Sequence, residues 1–374
     1  MADSIPFNRP HRTGREAVLA TEALTGDHWR GDGPFTRRAS ALVSAAVGGA
    51  PVLLTTSCTH ALELLALLLG FGPDDEVIVP SFTFVSTPAA FALRGARVVF
   101  ADVDPLTLNL DPASVAARIT PRTRAIVAVH YAGVACDLDA LAAFGIPVIE
   151  DNAHGLFGQW RGRPLGSFGQ VATLSFHDTK NIACGEGGAL VVNDRALLER
   201  AEILREKGTN RARFLRGQVD KYTWVAVGSS YLPSDILAAV LTAQLEGAAA
   251  SQAARQQVWR RYHDELATWA SRVGVQQPHL PDGAEHPAHM YWMRVRTPGQ
   301  RERFLAHLAA RGIGAAFHYQ PLHLSEVGLR FGGALGDCPV TELAADTLFR
   351  LPLYADLTEA QVDRVIAAVL EFTP

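Results

Sequence analysis

Lys180 stands where a charged side chain is costly. It follows the apolar run 171–176 and precedes a second apolar run, 189–192, with a glycine cluster between them. Runs of this kind form buried strands, and an ammonium group between them loses hydration that only a specific task would offset. This placement suggests that Lys180 carries covalent chemistry as an imine.

A polar turn, Ser57-Cys-Thr-His60, offers a candidate phosphate site. It lies between the apolar run 52–56 and an apolar helical segment, 61–69. The N-terminus of a helix presents free N–H groups and the positive end of the helix dipole, and both attract phosphate. The hydroxyls of Ser57 and Thr59 can add donors. Taken alone, the turn is better explained as an ordinary helix cap.

Asp151 ends another apolar run, and His154 follows three residues later. The carboxyl ends of parallel strands face the ligand crevice of an open sheet, so a carboxylate at this point can keep a ring nitrogen protonated. A helix cap explains Asp151 equally well, and a lone histidine is more often an ordinary polar residue. Ser175 could supply another phosphate donor and Phe84 could stack on a planar ring, although a core phenylalanine is commoner.

Together these weak signals indicate one cofactor. A phosphate cradle, a carboxylate at a strand end, an aromatic plate and a buried lysine are what pyridoxal phosphate requires. In that arrangement the lysine forms the Schiff base, and the aspartate keeps the pyridine nitrogen charged so that the ring can accept electrons.

Elements that would position these residues can be read from the hydrophobic pattern. Short apolar runs alternate with helical segments, which predicts an α/β fold with a mainly parallel seven-stranded sheet flanked by helices. The seven runs are 52–56, 76–80, 97–101, 125–129, 146–150, 171–176 and 189–192.

A long helix that begins after Ser234 and runs to about residue 266 carries the predicted domain boundary. We expect a large domain, 1–246, that binds the cofactor and includes an N-terminal arm. A smaller C-terminal α+β domain, 247–374, follows. Its predicted strands are 289–296 and 314–319, and its predicted helices are 299–311 and 358–371.

Composition excludes several classes of protein. The chain has 374 residues and a net charge of −4, without a long basic run, so nucleic-acid binding is not expected. Its four cysteines lie far apart with no C-x-x-C pair, which argues against a zinc site or disulfides and suits a reducing cytosol. The longest apolar stretch, 61–71, is too short to span a bilayer. We therefore expect a cytoplasmic protein with no metal and no membrane contact.

Several stretches together resemble one family. They are Gly31-Asp-Gly-Pro-Phe-Thr36, Asp75-Glu-Val-Ile-Val-Pro-Ser81, Val129-His-Tyr-Ala-Gly133, Glu150-Asp151, Ser175-Phe-His-Asp-Thr-Lys180 and Gly185-Glu-Gly-Gly188. On these residues the whole chain resembles the sugar aminotransferases of the DegT/DnrJ/EryC1/StrS family, which are fold-type I pyridoxal-phosphate enzymes. The runs 205–211, 216–224, 228–231 and 317–319 look like the branch that makes dTDP-4-amino-4,6-dideoxy-D-galactose.

The resemblance implies roles for individual residues. Lys180 would form the Schiff base and move the proton, while Asp151 would pair with the pyridine nitrogen. The other implied cofactor contacts are His154 at the ring hydroxyl, Phe84 on the ring face, and Ser57, Thr59, the backbone at His60 and Ser175 at the phosphate.

Contacts from a second subunit are also implied. Family members often add an asparagine from the partner subunit in a Gly-x-Asn-Tyr-Arg stretch. Here the matching run is Gly228-Ser-Ser-Tyr-Leu232, so Ser230 would make a weaker phosphate contact. Lys221, Tyr222 and His318 are candidate substrate contacts, and a homodimer with shared active sites is expected.

The implied reaction transfers an amino group from L-glutamate to dTDP-4-keto-6-deoxy-D-glucose. The products would be dTDP-4-amino-4,6-dideoxy-D-galactose and 2-oxoglutarate. Three alternatives stay open: a sugar 3-dehydrase, an aminotransferase that acts at C3 or on a UDP-sugar, and a cofactor-binding regulator without turnover. The 3-dehydrases carry histidine in place of the lysine, so Lys180 argues against the first. No basic patch or helix-turn-helix extension supports the third.

Overall fold

Twelve strands are formed by the part of the chain that the computed structural model describes, residues 4–373. They are β1 (Val52–Thr55), β2 (Glu76–Pro80), β3 (Arg97–Ala101), β4 (Thr123–Val129), β5 (Val148–Asp151), β6 (Gln159–Trp160), β7 (Arg163–Pro164), β8 (Val171–Ser175), β9 (Gly188–Val192), β10 (Ala284–Glu285), β11 (Tyr291–Arg294) and β12 (Leu348–Leu351).

Helices separate most of these strands. They are α1 (Glu16–Thr25), α2 (Pro34–Ala46), α3 (Cys58–Leu68), α4 (Ser86–Ala92), α5 (Pro112–Ala116), α6 (Leu138–Ala142), α7 (Leu198–Arg205), α8 (Arg211–Leu215), α9 (Asp235–Glu246), α10 (Ala248–Val273), α11 (Pro298–Ala309), α12 (Glu326–Arg330), α13 (Pro339–Thr347) and α14 (Glu359–Leu370). Short 3-10 turns lie at Tyr131–Gly133, Arg195–Leu197 and Leu322–Leu324.

Seven strands form the central sheet in the order β1-β9-β8-β5-β4-β2-β3. Strand β9 is antiparallel to both of its neighbours, and the other four pairs are parallel. The predicted mainly parallel seven-stranded sheet is confirmed. Strands β1, β2 and β9 are buried along their whole length, because helices cover both faces of the sheet.

Parallel register brings the ends of the central strands together. Val129, Asp151 and Thr173 are aligned neighbours on β4, β5 and β8. The segment that follows each strand therefore leaves the sheet at the same edge. The turn before α3 meets this edge through β9, where Gly188 packs against the backbone of Ser57.

A separate hydrophobic core holds the C-terminal elements. Trp259, Tyr262 and Trp269 of α10 pack against Val365 and Val369 of α14, and against the two-stranded sheet of β11 and β12. The boundary near residue 246 stays a prediction.

Two predictions about this half are wrong. The long helix predicted after Ser234 is two helices, since the chain turns at Gly247 between α9 and α10. Residues 314–319 form an isolated bridge, Ala316 with Arg350, instead of a strand. The partner that β11 needs is β12, which lies far along the chain and has no local signal.

Membrane insertion of a helix is not supported. Across residues 4–373, every helix is too short or too polar to cross a bilayer.

Candidate active site

A pocket of about 470 Å³ opens at the carboxyl edge of the central sheet, between the sheet and the C-terminal elements. Most of the predicted site residues line it: Ser57, Thr59, Phe84, Asp151, His154, Ser175, Lys180 and His318. The two ends of the pocket differ in chemistry. Hydroxyl groups surround the N-terminus of α3, whereas two histidines, a tyrosine and an arginine from the C-terminal half line the other end.

Lys180 lies in the loop that joins β8 to β9, and its backbone N–H donates to His177 O at 2.8 Å. The side chain is half-buried instead of fully buried, because it faces the pocket. Burial lowers the pKa of Lys180 to about 8, because it outweighs the negative charge of Asp151, which acts to raise the pKa. A lysine in this state has an appreciable neutral fraction near neutral pH, as a nucleophile or base requires.

Glycine at position 188 lets β9 approach the turn before α3. A Cβ atom there would lie 2.3 Å from the carbonyl carbon of Ser57 and 2.4 Å from the amide nitrogen of Cys58. These are backbone atoms, so a side chain would force the turn away from the strand. Glycine at position 188 therefore lets the strand and the turn meet, and this contact positions the N-terminus of α3.

Asp151 is buried at the end of β5. Thr87 Oγ1 donates to Asp151 Oδ2 at 2.7 Å, and the Ala153 amide donates to Oδ1 at 3.2 Å. Burial raises the pKa of Asp151, while these two hydrogen bonds and the charge of Lys180 work in the opposite direction. The carboxylate is thus held in one orientation by the neighbouring α4 helix.

The N-terminus of α3 combines a cap with an anion site. Ser57 Oγ accepts from the His60 amide at 3.1 Å, as the cap explanation requires. Thr59 Oγ1 and Ser86 Oγ are 2.8 Å apart, and both face the pocket together with Ser175. Since the first amides of a helix have no helical acceptor, this end can bind phosphate while Ser57 caps it.

Three histidines stack beside Lys180. The His154 ring lies 4.4 Å from the His289 ring and 6.4 Å from the His318 ring, and His318 stacks on Tyr319 at 3.6 Å. Burial lowers the pKa of all three histidines well below the usual value, and the positive charges of Lys180 and other neighbours add to this. Nδ1 of His154 is buried without a hydrogen-bond partner. The neutral His154 ring can therefore form a hydrogen bond with a ligand through Nδ1.

Four predicted residues do not line this pocket: His60, Ser230, Lys221 and Tyr222. The His60 ring turns away to pack edge-on against Tyr231 at 5.5 Å, and its amide is engaged by Ser57. The other three are exposed on the segment that precedes α9. None of the three lines the pocket of its own chain, so their roles stay predictions.

Some pocket residues were not predicted. Ser86 and Thr87 lie at the start of α4, three residues or fewer after Phe84, and their hydroxyls were a usable signal. His289 and Arg350 come from the C-terminal half, more than 100 residues from Lys180. No local pattern distinguishes them from ordinary polar residues, and only the packing of β11 and β12 reveals them.

The chemistry of this pocket fits pyridoxal phosphate. The helix end with Thr59, Ser86 and Ser175 would hold the phosphate, and Asp151 would hold the pyridine nitrogen. The unpaired Nδ1 of His154 supplies a free polar atom beside Lys180. The pocket therefore offers separate polar groups for the phosphate and for the pyridine nitrogen of the cofactor, and one more beside the lysine.

Known proteins agree with this assignment. A model of the DegT/DnrJ/EryC1/StrS aminotransferase family matches residues 11–370. The aminotransferase TlmJ from Streptoalloteichus hindustanus is 34% identical with a TM-score of 0.88, and the match covers 98% of this chain and 97% of TlmJ. The sugar aminotransferase CalS13 from Micromonospora echinospora is 28% identical with a TM-score of 0.88, covering 98% and 99%.

A further structural relative carries the cofactor. Spr1654 from Streptococcus pneumoniae in its PLP form is 27% identical with a TM-score of 0.88, and the match covers 97% of each chain. The predictions of a fold-type I architecture, of pyridoxal phosphate and of an aminotransferase are confirmed. The chain belongs to the DegT/DnrJ/EryC1/StrS aminotransferase family and is a pyridoxal-phosphate-dependent aminotransferase.

Proposed function

We propose that this enzyme transfers the amino group of L-glutamate to C4 of dTDP-4-keto-6-deoxy-D-glucose. The amino group of glutamate exchanges with the keto oxygen of the sugar, so the products are dTDP-4-amino-4,6-dideoxy-D-galactose and 2-oxoglutarate. The observation that supports transamination most directly is the pocket in which half-buried Lys180 lies beside Asp151 and the N-terminus of α3.

Lys180 and Asp151 would have different roles in this reaction. Pyridoxal phosphate, when bound, accepts the amino group from one substrate and passes it to the other, because its ring takes up the released electron pair. Lys180 Nζ would remove the proton from the α-carbon of the donor and return a proton to C4 of the sugar. Its pKa of about 8 suits both tasks. Asp151, oriented by Thr87, would keep the ring nitrogen protonated.

The identity of the acceptor rests on sequence resemblance. Residues 205–231 and 317–319 look like the branch that aminates the 4-keto-6-deoxy sugar at C4. CalS13 is named a sugar aminotransferase, which supports a sugar as the acceptor here. His318 lines the pocket and can contact the sugar from the C-terminal side.

The decisive assay supplies dTDP-4-keto-6-deoxy-D-glucose and L-glutamate to the purified holoenzyme. We expect 2-oxoglutarate and the 4-amino sugar in equal amounts, with the galacto configuration at C4 visible by NMR. Turnover with a UDP-4-keto sugar, or amination at C3, would replace this proposal with the corresponding alternative.

A Lys180→Ala variant tests the role of the lysine. It should lose both the violet absorption of the resting holoenzyme and its turnover, because no other lysine lines the pocket within residues 4–373. Retention of both properties would refute a catalytic Lys180. Binding of pyridoxal phosphate by wild-type protein without turnover on any keto sugar would favour the regulator.

We also propose a homodimer in which Ser230, Lys221 and Tyr222 reach the partner's pocket. In support, Phe84 at the pocket is 58% exposed, and the segment before α9 exposes Trp224 by 71%. Trp224, Val225 and Val227 are all exposed in this one segment, and an exposed apolar patch of this kind marks an interface. Analytical ultracentrifugation should give a dimer mass, and Trp224→Asp should shift it toward the monomer. A monomer that retains full activity would exclude shared sites.

A further inference from the structure

His289 lines the pocket from the C-terminal half, and its hydrogen bonds fix which ring nitrogen carries a hydrogen. Asn181, the residue after Lys180, places its Oδ1 2.9 Å from His289 Nδ1. Asn181 Nδ2 donates to Pro287 O at 2.7 Å and to Gln252 Oε1 at 3.0 Å. Because a backbone carbonyl can only accept, the amide nitrogen must face Pro287 and the amide oxygen must face the histidine. His289 Nδ1 is therefore the donor of this pair.

The second ring nitrogen of His289 is consequently a hydrogen-bond acceptor. A neutral imidazole carries one hydrogen, and burial keeps this ring neutral by lowering its pKa well below the usual value. Nearby basic groups act in the same direction: His154, Lys180, Arg255 and Arg350. Within residues 4–373, Nε2 forms no hydrogen bond and is not enclosed by protein atoms. The lone pair of Nε2 therefore faces the pocket that the ring lines.

The other two histidines of this group are not fixed in the same way. Among the described residues, His154 Nδ1 has no hydrogen-bond partner. His318 Nδ1 lies 3.2 Å from the Tyr131 hydroxyl, which can donate or accept. An amide oxygen allows no such choice, because it can only accept. His289 is thus the histidine of this group that presents an acceptor of fixed polarity to a ligand.

Surrounding contacts also hold the His289 ring in position. The ring stacks on His154 with the two centroids 4.4 Å apart. Buried Arg255 of α10 donates from Nη2 to His289 O at 2.6 Å and from Nε to Ala288 O at 3.1 Å. Ala288 has a φ of +49°, a left-handed conformation that is uncommon for residues other than glycine. A strained backbone that is held by a buried side chain is typical of a functional site.

One hydroxyl of the proposed acceptor sugar can donate to Nε2. Lys180 must reach C4 of the keto sugar, and Asn181 ties His289 to the residue next to Lys180, so the group that contacts Nε2 belongs on a carbon beside C4. In a 4-keto-6-deoxy sugar, C5 carries the ring oxygen and a methyl group, and neither can donate. C3 carries a hydroxyl, which can. The ionised carboxylates of an amino donor only accept hydrogen bonds.

We infer that His289 Nε2 accepts a hydrogen bond from the C3 hydroxyl of the keto sugar, and that Asn181 keeps the ring in the tautomer that permits it. This inference rests on the proposed function. A pocket acceptor that is left without its donor loses binding free energy, so the site would reject a sugar that lacks this hydroxyl. Asn181 is a positioning residue, because it acts through His289.

The test compares two sugars in the second half-reaction, begun from enzyme loaded with pyridoxamine phosphate. One is dTDP-4-keto-6-deoxy-D-glucose, and the other is its 3-deoxy analogue. His289→Phe removes both ring nitrogens and keeps an aromatic ring against His154. His263→Phe is the matched control, because the His263 ring stacks on Trp259 at 4.7 Å and lies outside the pocket. Thermal unfolding and bound-cofactor content show that each variant is folded.

The expected result is a loss of discrimination between the two sugars. Wild type should prefer the 3-hydroxy sugar roughly 5- to 100-fold in kcat/KM, the range for one buried polar group left unpaired. His289→Phe should bring this preference close to one by losing rate on the 3-hydroxy sugar. His263→Phe should keep the wild-type preference.

Asn181→Asp separates control of the tautomer from a structural role. A carboxylate beside Nδ1 favours the doubly protonated ring, so Nε2 becomes a donor and the preference should fall at neutral pH. The preference should return as pH rises and Nε2 loses its proton. Because the two sugars are compared at each pH, the titration of Lys180 affects both alike. The wild-type preference should not change over the same pH range.

The tautomer can also be read without turnover. Long-range ¹H–¹⁵N NMR of the holoenzyme, labelled at histidine, distinguishes the two ring nitrogens. The signals of His289 are those that disappear in His289→Phe. They should show the hydrogen on Nδ1 in wild type.

Four results would overturn the inference. Wild type could aminate the 3-deoxy sugar as readily as the 3-hydroxy sugar, or His289→Phe could keep the wild-type preference. NMR could place the hydrogen on Nε2, and a preference unchanged by Asn181→Asp at every pH would exclude the role of Asn181. Failure of the proposed function gives a different pattern, in which the wild-type enzyme loaded with pyridoxamine phosphate aminates neither 4-keto sugar.

Discussion

The hydrogen bond between Thr87 and Asp151 offers a test of how the pocket controls the cofactor. Thr87 is buried, and its Oγ1 lies 2.7 Å from Asp151 Oδ2 and 3.2 Å from Thr83 Oγ1. Because Thr87 donates its only hydroxyl proton to the carboxylate, Thr83 must be the donor in the second pair. Thr87→Val keeps the shape of the side chain and removes the hydroxyl that connects Thr83 to Asp151.

The magnitude follows from the type of bond. A buried hydrogen bond to a charged group contributes about 1.5–3 kcal/mol, and its length here is typical of a charge-assisted O–H···O⁻ contact. Without the Thr87 hydroxyl, the Asp151 carboxylate is less readily ionised and less well oriented. If this carboxylate holds the pyridine nitrogen, Thr87→Val should weaken pyridoxal phosphate binding by roughly 10- to 100-fold. Burial already raises the pKa of Asp151, and removal of the Thr87 donor raises it further. Activity at acid pH should therefore disappear at a higher pH than in wild type.

Titration of apo-protein with pyridoxal phosphate, followed by absorbance, measures the first effect, and the pH profile of turnover measures the second. Thr87→Ser is the control, because it retains the hydroxyl and should stay close to wild type. Equal cofactor affinity and equal acid limbs in Thr87→Val and wild type would refute the argument. Equal impairment of Thr87→Ser and Thr87→Val would show that the methyl group matters instead.

Three further predictions concern other parts of the site. Since the pKa of Lys180 is about 8 and only the neutral amine attacks, cofactor attachment to apo-protein should accelerate through a midpoint near pH 8, and a midpoint above 10 by stopped-flow absorbance would contradict this. Burial opposes ionisation of Glu150, but hydrogen bonds from His130 and from the backbone lower its pKa below the usual 4.5. The stability that ionised Glu150 gives to the folded protein should therefore be complete above that value and be lost as pH falls. Denaturation should show Glu150→Gln less stable by about 3 kcal/mol at pH 7, with a flatter acid response. Gly188→Ala should cost about 1–3 kcal/mol of unfolding free energy and weaken cofactor binding, whereas Gly72→Ala, in open space, should change neither.

Local pattern was sufficient to single out several residues that line the pocket. Asp151 ends a strand, Ser57 and Thr59 begin a helix, and Lys180 lies between two apolar runs, so each was marked by its own neighbours in the sequence. The seven strands were predictable for the same reason, because each is a short, mostly apolar segment. The hydrophobic pattern of a segment indicates whether that segment is buried and where it ends.

Contacts between distant segments were decided only by the tertiary structure. The order of the strands, including antiparallel β9 between β1 and β8, does not follow from seven similar apolar runs. The break at Gly247 and the pairing of β11 with β12 were likewise unpredicted. A pattern within one segment carries no information about which other segment will cover it.

The two ends of the pocket illustrate this difference. Thr59 and Ser175 lie next to the helix start and the strand end that place them, so the sequence alone predicted that both would face one site, and both line the pocket. Arg350 became part of the pocket only when the C-terminal core packed against the sheet, with Phe7 laid over its guanidinium. The contacts of Arg350 follow from three-dimensional packing, because they are set by every segment that surrounds the side chain and not by the residues beside it in the chain.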